Sequence, residues 1–117
     1  MLAEISITQH SKLNEFITAL SNRGMDSLVI NFNLSRSVID EIFDALPVYL
    51  SPNYKLSAPP ISSQYGEFPL IVAYKTEVGD ISVECYIVGN DEPGEAILHV
   101  VFFAATPGDL HYEFINS

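Results

Sequence analysis

The chain has 117 residues, 48% of them hydrophobic, and fifteen acidic against five basic residues give a formal net charge of −10. This length suits a single domain of roughly 100–200 residues, and the apolar content excludes a disordered chain. Direct binding to nucleic acid or to an anionic membrane is not expected, because phosphate contacts require a basic surface. The charge predicts a basic protein partner instead.

No membrane span, leader or disulfide is expected. The longest apolar run, residues 96–105, contains His99 and is shorter than the roughly 18 residues of a membrane helix. The first residues lack a basic stretch followed by an apolar core, so no signal peptide is expected. The single cysteine, Cys85, allows no internal disulfide, which predicts a cytoplasmic location.

The first 24 residues predict a short strand, within residues 1–7, and then a helix. Four apolar residues recur at the i, i+3, i+4, i+7 spacing of an amphipathic helix: Leu13, Phe16, Ile17 and Leu20. Ser11 is the predicted N-cap and Gly24 the predicted stop, so this helix would end near residue 22.

Residues 27–34 alternate between apolar and polar side chains, which predicts a half-buried strand. A second helix is predicted over residues 36–46, with Ser35 or Ser37 as its N-cap. Pro47 would end this helix, because proline lacks the amide hydrogen that a helix interior needs. The first part of the chain, residues 1–46, is thus predicted to be helix–strand–helix.

Residues 47–69 contain five prolines and three tyrosines without a sustained period, which predicts a long loop of the kind that often carries function. Four strands with glycine-containing turns between them then predict an antiparallel meander, at residues 70–76, 81–88, 96–104 and 112–115. The predicted fold is one α+β domain, with about five mainly antiparallel strands and two helices on one face.

The apolar pattern should fix the register of the meander. A two-residue loop at residues 78–79 is predicted, because it sets apolar residues opposite one another: Leu70 with Ile87, Val72 with Cys85, and Tyr74 with Val83. A three-residue loop would place Val72 opposite Glu84, a poorer match. The third strand should bury a core row of Leu98, Val100 and Phe102. On the opposite face of the sheet, His99 should lie beside Glu84 and Tyr86 of the second strand. That face is either covered by the chain or presented to a partner.

Residues 61–117 hold nine of the acids and only one base, Lys75. Successive turns of a meander lie at opposite ends of the sheet, so these acids should form two rims. One predicted rim comprises Glu67, Asp91, Glu92 and Glu95, and the other comprises Glu77, Asp80 and Asp109.

The densest acidic stretch is GNDEPGE, residues 89–95. It lacks the ligand spacing of an EF-hand calcium loop, so we interpret it as a turn shaped by Pro93 and Gly94. His99 with Glu84 and Tyr86 is the one arrangement that resembles a catalytic cluster, but a hydrogen-bonded histidine on a sheet face is the preferred interpretation. The Cys85 thiol is predicted to be buried and inert. No cofactor, metal site or catalytic residue is expected.

The sequence therefore predicts a non-enzymatic acidic protein that neutralises a basic partner, by analogy of charge and size with bacterial immunity proteins and other inhibitors of nuclease-like toxins. Acids and aromatic anchors make up the predicted partner-binding residues: Glu67, Glu84, Tyr86, Asp91, Glu92, Glu95, His99, Phe103, Tyr54 and Tyr65. Three alternatives remain open. They are a nucleic-acid-mimicking phage-type inhibitor such as an anti-CRISPR, an acidic homodimeric secretion chaperone, and a small enzyme using Glu84 and His99.

Overall fold

A computed structural model describes residues 1–51 and 53–117. The elements in chain order are β1 (Leu2–Ala3), α1 (Ile7–Ser21), α2 (Met25–Phe32), α3 (Arg36–Tyr49), β2 (Leu56–Ser57), β3 (Gln64–Tyr65), β4 (Phe68–Pro69), β5 (Ile71–Lys75), β6 (Ile81–Gly89), β7 (Glu92–Phe102) and β8 (Leu110–Asn116). The predicted α+β class is confirmed. Within the described residues there are three helices, where two were predicted.

Six strands form one antiparallel sheet, in the order β1-β5-β6-β7-β8, with β2 paired to the end of β6. β3 and β4 form a separate two-stranded hairpin. The four predicted meander strands correspond to β5, β6, β7 and β8. The predicted loop over residues 47–69 is wrong in part, because it contains the last turn of α3 and three short strands.

The helices lie on one side of the sheet, where one cluster of buried side chains joins the two layers. The sheet contributes Val83, Cys85, Leu98, Val100 and Phe102, and the helices contribute Leu13, Phe16, Ile17, Leu28, Ile39 and Ile42. The predicted core row on the third meander strand is therefore confirmed. Burial of this apolar area is the main favourable term in folding.

The helix α1 begins earlier than predicted, because Ser6 rather than Ser11 is its N-cap. Ser6 Oγ accepts the Gln9 amide at 3.1 Å, while Gln9 Oε1 accepts the Ser6 amide at 2.9 Å. This reciprocal pair is a capping box. At the other end the left-handed residue is Arg23 (φ 51°), and the Gly24 amide donates to the Ala19 carbonyl at 2.8 Å, as in a Schellman motif.

The strand predicted over residues 27–34 is wrong, since most of this segment is the helix α2. Leu28 and Phe32 are buried, and their separation of four residues places them on one side of either a strand or a helix. Ile30 distinguishes the helix from the strand, because a strand would bury its side chain together with Leu28 and Phe32. The Ile30 side chain is instead 77% exposed. Asn33, in the left-handed conformation (φ 55°), ends α2.

The helix α3 begins where predicted but does not stop at Pro47. Ser35 is its N-cap, since Ser35 Oγ accepts the Val38 amide at 3.3 Å. Pro47 lies inside the last turn, and the helix continues to Tyr49. Proline lacks an amide donor and its ring crowds the preceding turn, but the Leu50 amide still donates to the Leu46 carbonyl at 2.9 Å, so the helical hydrogen bonding resumes after Pro47.

The predicted register between β5 and β6 is wrong by one residue. Val72 lies opposite Glu84 and Ala73 opposite Val83, so the pairings of Leu70 with Ile87, Val72 with Cys85 and Tyr74 with Val83 do not form. The Thr76 amide donates to the Asp80 carbonyl at 2.9 Å, which closes a three-residue loop. Gly79 takes φ 92° at the end of this loop. The need for glycine at that position outweighs the apolar match.

Candidate functional site

The acid-rich turn is formed by Asn90 and Asp91 rather than by Pro93 and Gly94. Asn90 and Asp91 both have left-handed backbone conformations (φ 49° and 66°), as a type I′ hairpin turn requires. β6 ends and β7 begins on either side of this pair. The interpretation of Pro93 and Gly94 as turn residues is therefore wrong, because both lie within β7.

Asn90 also ties this turn to the chain that precedes β2. Its Oδ1 accepts the Lys55 amide at 2.8 Å, and its own amide donates to the Lys55 carbonyl at 2.9 Å. Both bonds join residues 35 apart in sequence. These two hydrogen bonds therefore fix the position of the hairpin that carries Asp91, Glu92 and Glu95.

Gly89 and Gly94 allow this hairpin to pack closely against the end of α3. A Cβ atom at Gly94 would lie 2.5 Å from Leu50 Cδ2 and 3.2 Å from the Ile87 carbonyl oxygen. One at Gly89 would lie 2.9 Å from Tyr54 Cδ2. Only glycine lets a neighbouring side chain approach the backbone this closely. The two glycines of GNDEPGE therefore serve packing.

A groove of about 820 Å³ opens beside this contact. Its walls come from the end of α3, the β3–β4 hairpin and the β6–β7 hairpin. Five aromatic residues line it: Tyr49, Tyr54, Tyr65, Phe68 and Tyr86. Its two charged lining residues are Glu92 and Glu95. This aromatic groove therefore combines apolar contact area, tyrosine hydroxyl groups and negative charge.

One wall of the aromatic groove presents two solvent-exposed rings. Tyr65 and Phe68 lie opposite each other in the β3–β4 hairpin and are 68% and 73% exposed. Gly66 and Glu67 form the loop between them, with Gly66 at φ 64°. Tyr54, on another part of the lining, is 44% exposed. Exposed aromatic residues beside a recess are typical of binding surfaces.

The second predicted cluster lies on the sheet face away from the helices. His99 lies beside Glu84 on this face, as predicted, and the two residues are directly opposite each other in the register. His99 Nδ1 is 3.9 Å from Glu84 Oε1, whereas His99 Nε2 is 2.8 Å from Asn116 Oδ1. The His99 ring also stacks on Phe114, with centroids 4.1 Å apart. An amide and an aromatic ring thus position this histidine, without the carboxylate hydrogen bond of a general-base pair.

The structure places the predicted binding residues in three locations. Tyr54, Tyr65, Tyr86, Glu92 and Glu95 line the aromatic groove.

Glu67 and Asp91 lie in the two loops that border the aromatic groove. Glu84 and His99 lie on the sheet face away from the helices, which we call the open sheet face. Phe103 lies apart from the groove, and its ring contacts His111 with centroids 4.7 Å apart.

Sequence reasoning missed Phe68 as a groove residue. Phe68 had a usable signal, because it and Tyr65 flank a Gly66–Glu67 pair typical of a tight hairpin.

The second predicted acidic rim includes a structural carboxylate. Asp80 Oδ1 accepts the Ala104 amide at 2.9 Å, and the Asp80 amide donates to Thr76 Oγ1 at 3.1 Å. These bonds join the loop between β5 and β6 to the residues that follow β7. The two loops therefore lie at the same end of the sheet, as predicted.

The Cys85 side chain is fully buried on the core face of β6. Burial raises the pKa of the thiol to about 12, so the nucleophilic thiolate is scarce at neutral pH. The prediction that this thiol is buried is confirmed. Across residues 1–51 and 53–117, no group of three or more His, Cys, Asp or Glu is arranged to hold a metal ion, and no helix is long and apolar enough to cross a membrane.

No protein-family model matches the chain. No curated protein and no solved structure matches it either. Function must therefore be inferred from the surface of this protein, where an aromatic groove with acidic lining residues belongs to a chain of net charge −10.

Proposed function

We propose that this protein is a non-enzymatic binding protein that neutralises a basic protein, as immunity proteins and other inhibitors of nuclease-like toxins do. One observation carries the proposal: the aromatic groove of about 820 Å³ has five aromatic lining residues, and its charged lining residues are both glutamates. A groove of this composition complements a protein surface rich in arginine and lysine.

Two effects of different range would act in sequence. The net charge of −10 attracts a cationic protein at long range and raises the association rate, an effect that added salt screens. The exposed rings of Tyr54, Tyr65 and Phe68 then supply buried contact area once the partner has docked. The acids thus set the rate of association, and the rings set the lifetime of the complex.

A host-cell extract tests the proposal. The immobilised protein is exposed to the extract at low and high salt, and the recovered basic protein is purified for binding kinetics. We expect association to slow several-fold when Asp91→Asn, Glu92→Gln and Glu95→Gln are combined, because steering charges next to the groove are lost.

The matched control combines Asp44→Asn, Glu41→Gln and Glu4→Gln, three exposed acids elsewhere on the chain. It removes the same number and types of charge, so it separates local steering from net charge. Recovery of no basic protein, or association rates that do not respond to salt, would contradict the proposed function.

A homodimer is the second candidate, and the open sheet face favours it. Tyr74, Phe103 and Phe114 are 43%, 42% and 48% exposed there. A dimer that buries this face should dissociate when Phe114→Ser is introduced. Sedimentation velocity over a range of concentrations measures this, and a monomer at the highest concentration would reject the dimer.

A further inference from the structure

The aromatic groove offers ring faces and carboxylates to the same occupant. Tyr65 and Phe68 stand on one wall, and Glu92 and Glu95 belong to another. Tyr65 and Phe68 are both more than two-thirds exposed, at 68% and 73%, so their faces are free to receive a ligand. A cation bound in the groove would therefore contact an aromatic ring face and a carboxylate at the same time.

The size of the groove fits a chain segment rather than a single side chain. Its volume of about 820 Å³ lies in the upper part of the roughly 300–1,000 Å³ range of ligand pockets. At Gly89 and Gly94 the side chains of Tyr54 and Leu50 already fill the space beside the backbone. An occupant would therefore lie against the aromatic side chains that line the groove.

Arginine suits these walls better than lysine does. The planar, weakly hydrated guanidinium stacks on a ring while its edge donates to a carboxylate, whereas an ammonium group is compact and strongly hydrated. The protein already uses this contact elsewhere, since the Arg23 guanidinium carbon lies 5.0 Å from the centroid of the Phe43 ring. The Arg23–Phe43 contact is an internal example of the proposed one.

We infer that the aromatic groove binds an extended, arginine-bearing segment of the basic partner and prefers arginine to lysine. This deepens the proposed function and rests on it. The rings of Tyr65 and Phe68 discriminate between the two cations, while Glu92 and Glu95 attract both. The preference for arginine therefore arises from the aromatic rings, and the salt-dependent part of the affinity arises from the two glutamates.

Capped hexa-arginine and hexa-lysine, two peptides of equal charge, test this inference in calorimetric titrations of the full chain at about 150 mM salt. We expect hexa-arginine to bind about five- to ten-fold more tightly, the size of one or two stacked cation contacts. Tyr65→Leu with Phe68→Leu should abolish the preference and leave hexa-lysine binding nearly unchanged. Glu92→Gln with Glu95→Gln should weaken both peptides by similar factors.

The control pair is Tyr74→Leu with Phe114→Leu, which removes two half-exposed rings from the open sheet face, outside the groove lining, and should keep the preference. Equal affinity of the wild-type chain for the two peptides overturns the inference, and so does a preference that survives Tyr65→Leu with Phe68→Leu.

Neither of those results touches the proposed function. A basic protein whose salt-sensitive association responds to the Asp91, Glu92 and Glu95 variant would still support it. The proposed function would fail instead if no such basic protein were recovered and neither peptide bound.

Discussion

Leu50, the residue that caps the end of α3, packs directly on the backbone of Gly94 in β7. The gap is so small that a Cβ atom at Gly94 would lie 2.5 Å from Leu50 Cδ2. This contact joins the helical layer to the hairpin that carries Glu92 and Glu95, and both residues of the contact line the aromatic groove. The width of the groove therefore depends on how α3 ends.

Gly94→Ala should lower the free energy of unfolding by about 1–3 kcal/mol, because the added methyl group overlaps Leu50 and crowds the Ile87 carbonyl. Urea denaturation followed by circular dichroism measures the change. Gly108→Ala is the matched control, since a Cβ atom there meets nothing within 4 Å. Equal stability of the two variants would show that Leu50 moves aside without cost.

Asp80→Ala should lower the free energy of unfolding by about 1–2 kcal/mol, because it removes the carboxylate that accepts the Ala104 amide. Asp80→Asn keeps an acceptor oxygen and should retain much of the stability. Glu77→Ala removes the same charge from the same loop and should have little effect. Thermal or urea unfolding of the three variants gives the comparison, and similar losses for Asp80→Ala and Glu77→Ala would assign the effect to charge alone.

Stability should fall at alkaline pH partly through Cys85, whose pKa burial raises from 9.0 to about 12. Between these values the unfolded chain releases the thiol proton while the folded chain keeps it, so the free energy of unfolding decreases as pH rises above about 9. The slope from this group approaches about 1.4 kcal/mol per pH unit.

The control for the alkaline prediction is Cys85→Ala. This variant should be less stable at neutral pH, because it leaves a small cavity, but its stability should fall less steeply above about pH 9. The raised pKa of Tyr112, caused by burial and then by Glu41, acts in both proteins and does not distinguish them. Parallel curves for the two proteins between about pH 8 and pH 10.5 would contradict the assignment to Cys85.

The carboxy-terminal strands could be predicted because the apolar alternation and the turn residues indicate the same strand boundaries. Leu98, Val100 and Phe102 alternate along β7, and a glycine-containing turn separates each pair of strands. The register error arose where two signals compete. Apolar matching favoured one alignment, but Gly79 at the end of a three-residue loop fixed the other.

The helix α2 was not predictable from apolar alternation. Leu28 and Phe32 lie four residues apart, a spacing that both a strand and a helix place on one face. The useful signal was polar: Asn33 tolerates the left-handed conformation that ends a helix.

The aromatic groove could be predicted only in composition. The sequence shows the tyrosines and the acids, but Tyr49, Tyr65 and Tyr86 come from three separate elements. Contacts between residues so far apart in sequence are set by the tertiary fold. The same holds for the close approach of Leu50 to Gly94, since nothing near either residue in the sequence indicates the other.

Cys85 is the only cysteine of the chain and has no exposed surface. A second cysteine placed at Glu67, in the loop between the two exposed rings of the β3–β4 hairpin, would therefore be the one thiol that maleimide reagents reach in the folded protein. An environment-sensitive dye attached at that position would lie next to the aromatic groove. Its emission would report occupancy in real time, with the wild-type core left intact.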